Sequence, residues 1–132
     1  MKKNETGKTA TLPFLTREAI LAADDLIRER VDIPEWNGSI YVSMMTATGR
    51  DEFEKDMVIM KEDGTTERNL KNFRASLCAR TICNEKGKRM FNSVDEIEQL
   101  GGKSAAAIER IFTVAMRLNK IGKQDVEELT KN

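Results

Sequence analysis

Few side chains in this sequence could do chemistry, and their spacing does not favour it. Histidine is absent, so a Ser-His-Asp or Cys-His mechanism has no base, and the commonest ligand of zinc, copper and iron is missing. The two cysteines, Cys78 and Cys83, stand five apart; on one helix their side chains would point about 140° apart and could not bridge within it. Two thiols without histidine fall short of the four ligands of a structural zinc, and they read as reduced cytosolic cysteines. Adjacent carboxylates occur at Asp24-Asp25, Asp51-Glu52 and Glu62-Asp63. Neighbours diverge on a helix, and these pairs lack companion groups for acid–base work or Mg²⁺, so solvated surface is the better reading. The sequence therefore offers no catalytic residue, cofactor or metal ligand set, and an enzyme is the class it supports least.

Phosphate contact has a better case. From Glu67 to Arg89 seven basic residues (Arg68, Lys71, Arg74, Arg80, Lys86, Lys88, Arg89) face only Glu67 and Glu85, which would suit a small nucleic-acid-binding regulator. The segment lacks a glycine-rich phosphate loop, zinc-finger spacing and an aromatic platform. A solvated helix face paired with Asp95, Glu96 and Glu98 fits it better. Across the chain, 22 basic residues balance 22 acidic ones, leaving no global field to steer it onto nucleic acid or an anionic membrane. No apolar run approaches the ~20 residues of a membrane span, and the first eleven residues lack a signal-type apolar region. The expectation is a protein neither exported nor embedded, which works by contact.

The elements that must position such contacts are legible from periodicity. At 132 residues one domain is expected, with residues 1–15 a flexible tail and 16–132 a single α+β domain. It should be mainly helical, with one β-hairpin packed against about four to five helices. Thr16 is placed to cap a helix from Arg17 to about Leu26, with Ile20, Leu21 and Ala23 as its apolar face. Alternation over Arg28–Ile33 resumes at Ile40, Val42 and Met44 after a Pro-Glu-Trp-Asn-Gly stretch, the signature of a hairpin. Thr46 or Thr48 caps a helix from about Arg50 to Met60 striped by Phe53, Met57 and Met60. A loop over Lys61–Glu67 precedes a helix from about Arg68 to Cys83 that carries Leu70, Phe73, Leu77, Cys78 and Ile82 inward. Ser93 and Glu96 form a capping box for a helix with Val94, Ile97 and Leu100 facing in, stopped at Gly101-Gly102. Ser104 starts the most apolar helix, running to Ile121 with Gly122 as its C′ residue, and a last turn covers Asp125–Leu129.

On the Ser104 helix the apolar residues fill an arc of roughly 220° at 100° per residue, where a surface helix needs little more than ~100°. One reading is a central helix buried on two sides; the other gives the excess face to a partner, with Ile108, Ile111, Phe112, Ala115, Met116 and Leu118 as interface residues. Trp36, the only tryptophan, either lids the hairpin or joins them as an anchor. Six internal methionines fill a core or furnish adaptable contact surface.

Three stretches carry a resemblance: VDIPEWNGSIYVSMMTATGRDEFE from Val31, NLKNFRASLCARTICNEKGKRMF from Asn69, and SVDEIEQLGGKSAAAIERIFTVAMRLN from Ser93. Together they cover most of residues 18–129, and the chain resembles the tail assembly chaperones of long-tailed (siphovirus-type) bacteriophages of Gram-positive hosts. The resemblance implies a protein of the host cytoplasm, absent from the finished virion. Its implied partners are the tape measure protein, which it keeps soluble, the major tail tube protein, whose polymerisation it promotes, and further copies of itself. It also implies the short form of a frameshifted pair: codons ACA AAA AAC for Thr130-Lys131-Asn132 would hold the slippery heptamer A AAA AAC. The alternatives are the nucleic-acid-binding regulator above and a minor structural protein of the virion.

Overall fold

The computed structural model describes residues 11–122. In chain order these form α1 (Arg17–Ala22), β1 (Arg28–Ile33), a 3₁₀ turn (Pro34–Trp36), β2 (Gly38–Ser43), α2 (Ala47–Asp56), β3 (Val58–Met60), β4 (Thr66–Arg68), α3 (Phe73–Thr81), β5 (Ile82–Cys83), α4 (Val94–Gly101) and α5 (Ala105–Leu118). The α+β, mainly helical class is as expected. The strands are more numerous than the single hairpin that periodicity signals.

Alternation does make the first hairpin. β1 pairs antiparallel with β2, Val31 opposite Ile40 and Ile33 opposite Gly38, so period two places Glu29, Val31, Ile33, Ile40 and Val42 on one face. Ile33 and Val42 are buried there. β5 joins the other edge of β2, giving the order β1-β2-β5. β1 is an edge strand, and its Arg28, Glu29, Arg30 and Asp32 oppose the addition of another strand.

The helices close over the inner face. α3 is the most deeply placed, with seven of its nine residues buried, and its Ala75, Ser76 and Ala79 let neighbours approach closely. Phe53 of α2, Phe73 of α3 and Phe112 of α5 form a chain of rings with centroids 5.8 Å apart at each step. α5 lies between α3 on one side and β1, β2 and the hairpin tip on the other. That position accounts for its wide apolar arc. The helix ends at Leu118 rather than Ile121, and the left-handed residue is Lys120 (φ 54°) rather than Gly122. Ile121 N–H donates to the Met116 carbonyl (2.8 Å) and Lys120 N–H to that of Arg117 (3.2 Å), a Schellman closure that tucks Ile121 into the core.

Four expectations need correction. α2 stops at Asp56, because the β-branched pair Val58-Ile59 favours a strand; β3 pairs with β4, and Gly64 (φ +87°) makes the turn between them. Met57 is still buried, but Met60 is exposed. α3 begins at Phe73, not Arg68, because Asn72 adopts a left-handed conformation (φ 58°) that interrupts the helix, and Leu70 is exposed outside it. Val94 also faces outward, at the first position of α4. α1 ends at Ala22 and buries nothing, leaving Ile20, Leu21 and Ala23 exposed. Residues 1–10 of the expected tail and the turn over Asp125–Leu129 lie outside the described residues.

Candidate partner-binding surface

Trp36 is the residue that the sequence offers as either a hairpin lid or an anchor, and the fold places it at the hairpin tip. It ends the 3₁₀ turn that Pro34 opens, and Asn37 follows in the left-handed region (φ 53°) that asparagine tolerates. The preceding Glu35 accepts two hydrogen bonds from Arg110 Nε of α5 (2.8 and 3.1 Å). Those bonds hold the Glu35 carboxyl below its usual range. Trp36 is left 37% exposed and forms one wall of an open groove of about 610 Å³ with Phe91, Gln99, Leu100 and Lys103.

The opposite wall is α4, fixed at both ends. Ser93 Oγ accepts from Glu96 N–H (3.2 Å) while the Glu96 carboxylate accepts from Ser93 N–H (3.1 Å) and Asn92 N–H (2.8 Å); these bonds, the Asn92 amide foremost, hold Glu96 low. At the C-terminal end Gly101 lies against α3, where a Cβ would sit 2.6 Å from Asn72 Oδ1. Arg89 Nε donates to the Phe91 carbonyl (2.5 Å), which fixes the turn carrying the third wall. Lys103 makes no ion pair among the described residues. The groove can accept a bulky apolar side chain and place a carboxylate at its rim.

Two further apolar areas are exposed. The segment before β1 leaves Leu12, Phe14, Leu15, Ile20, Leu21, Leu26 and Ile27 uncovered, and β3 exposes Val58, Ile59 and Met60. Phe91, the segment from Leu12 and β3 escaped the sequence reading. A signal was present for the second, since Leu12, Phe14 and Leu15 are too apolar for a solvated tail.

The other predicted interface residues are distributed differently. Ile108, Ile111, Phe112 and Ala115 are buried between α3 and the sheet, so in this fold they support the surface rather than form it. Met116 and Leu118 are partly buried against the same core. Only Trp36 of the seven stands at an open groove.

Three of the seven basic side chains of the Glu67–Arg89 segment are seen in ion pairs. Arg80 bonds Glu52 (3.3 Å) and Asp56 across to α2, Arg74 bonds Glu109 (3.2 Å), and Lys71 approaches Glu98 (3.6 Å). Of the expected partners Asp95, Glu96 and Glu98, Glu98 meets Lys71, while α2 and α5 supply the carboxylates for Arg80 and Arg74. Cys78 and Cys83 are free and buried. Burial, reinforced by the Glu109 carboxylate against the opposing pull of Arg74, pushes the Cys78 thiol up to about 12, which suits it to packing and not to nucleophilic attack.

Comparison with known proteins bears on the fold and the family. No curated protein sequence matches. Among solved structures, the bacteriophage HK97 tail assembly chaperone is similar, with a TM-score of 0.53 and 17% identity over 80% of this chain and 95% of that one; at this identity the likeness is one of fold. A family model described as phage tail assembly chaperone matches residues 15–132, and by that match the chain belongs to the phage tail assembly chaperone family.

Proposed function

We propose that this protein binds the tape measure protein of a long-tailed phage of a Gram-positive host, keeps it soluble in the host cytoplasm, and promotes polymerisation of the major tail tube protein around it. The supporting observation is the division of its apolar residues: a closely packed core, and beside it a fixed groove at Trp36 and two exposed apolar segments. A long helix-rich client with apolar stripes aggregates until something covers them, and a holdase needs reversible, adaptable apolar contacts. The work is contact, with no reaction step, and the protein leaves before the virion is complete. It self-associates while free of client. It is the short product of a frameshifted gene, which sequencing the codons of Thr130-Lys131-Asn132 checks: an interrupted A-run with no overlapping downstream frame sinks that part.

Co-expression with an otherwise insoluble tape measure protein is the test. Wild-type chaperone should move the client into the soluble fraction, and Trp36→Ala should fold normally yet lose most of that effect. Ile111→Asp should instead unfold the chaperone, since it puts a charge into the core. Full client solubility with a folded Trp36→Ala protein would remove the groove from the proposal. Detection of the protein in purified particles by mass spectrometry would place it in the virion instead.

A further inference from the structure

The segment Leu12–Ile27 and the Trp36 groove are chemically matched, and the segment is rooted at the far end of the hairpin from the groove. The segment is an arm: Phe14 is as exposed as in an open chain, α1 buries nothing, and seven large apolar side chains find no cover. Its root is fixed. Ile27 N–H donates to Met44 Sδ (3.3 Å), and the Ile27 carbonyl accepts from Met44 N–H (2.9 Å). That root lies at the open end of the β1–β2 hairpin, whereas Trp36 stands at the tip, six strand residues or roughly 20 Å away.

We propose that the Leu12–Ile27 arm of one copy docks in the Trp36 groove of a second copy. The proposal rests on the self-association in the functional reading above and assigns its contact. The groove offers Trp36 and the partly exposed Phe91, above the buried Leu100, to the apolar side of the arm, and the arm carries Asp24 and Asp25, which like Lys103 make no ion pair among the described residues. Burying a large apolar side chain removes roughly 100 Å² from water, so the arm brings most of the apolar area of the contact and the exposed parts of Trp36 and Phe91 a smaller share. Covering the arm in this way also withdraws the groove from client, so self-association and client binding compete for Trp36.

Sedimentation velocity of the full chain tests the assignment. Wild type should show concentration-dependent association, and the double variant Phe14→Asp, Leu21→Asp, altered only at uncovered positions, should weaken it roughly 100-fold with an unchanged circular dichroism spectrum. Mixing Phe14→Cys chains with Gln99→Cys chains under mild oxidation should yield the mixed disulfide dimer in preference to either homodimer, since Cys78 and Cys83 are buried. Association unaffected by the arm variant, or absence of the mixed dimer, overturns the arm assignment and leaves self-association standing. A wild type that is monomeric at every concentration overturns both. An intrachain disulfide in the Phe14→Cys, Gln99→Cys double variant, with no interchain product, would show the arm folding onto its own groove and overturn the exchange.

Discussion

Asn119 ties the end of α5 to the connection between β2 and α2. Its Oδ1 accepts from Met45 N–H (2.6 Å), its Nδ2 donates to the Ala115 carbonyl (2.8 Å) and toward that of Ser43 (3.4 Å), and its own carbonyl accepts from Arg50 Nη1 (3.2 Å). One side chain thereby caps α5 and ties it to the connection between β2 and α2. Truncation leaves the partly buried Met45 amide without its partner, and an orphaned polar group costs about 1–3 kcal/mol. Asn119→Ala should therefore lower Tm by several degrees without changing the fold, and a thermal melt followed by circular dichroism checks it; an unchanged Tm would mean that water replaces the side chain. The long-range ties were not legible in the sequence, where Asn119 is one polar residue near a helix end and Ser43, Met45 and Arg50 lie more than sixty-five positions away.

Helix caps and strand alternation, by contrast, were legible because the interactions that cause them are local. Thr16, Thr46, Ser93 and Ser104 all cap as their positions suggest, each hydroxyl accepting from an amide three residues on. Element length was harder to read. β3 and β4 looked like a helix end and a loop because Met57 and Met60 fit a helical stripe, and only the pairing of Val58 with Arg68 reveals the strand. The α5 arc gave its width but not its covering, since α3 on one side and the sheet on the other come from distant sequence. Gly101 sets packing against propensity: alanine is the better helix former by up to ~1 kcal/mol, yet its Cβ would lie 2.6 Å from Asn72 Oδ1 and force that side chain to shift. Gly101→Ala should destabilise the protein by about 1–2 kcal/mol, measured as a lower urea midpoint, whereas Gln99→Ala, exposed on the same helix, should be near neutral. A stabilised Gly101→Ala protein would show that α4 moves freely against α3.

At the scale of the whole molecule the missing histidine becomes a statement about stability. Glu35, Asp63 and Glu96 are all held below the usual carboxylate range, by Arg110, by Thr65 and by the Asn92 and Ser93 amides respectively. A depressed carboxyl favours the folded state at any pH above its unfolded value, about 4, and that contribution disappears as pH falls through the folded value. With no imidazole and the Cys78 thiol far above neutrality, folding stability should be nearly flat from about pH 5 to 8 and decline below about pH 4. Urea titrations across that range check this, and a step near pH 6.5 would contradict it.

The four charged residues of β1 carry a consequence for any encounter between two copies. Two copies meeting along that edge would have to strip water from Arg28, Glu29, Arg30 and Asp32 before any backbone hydrogen bond could form, so such collisions end in separation and do not seed cross-β growth. The edge charges thereby guard this member of the tail assembly chaperone family against forming fibrils of its own.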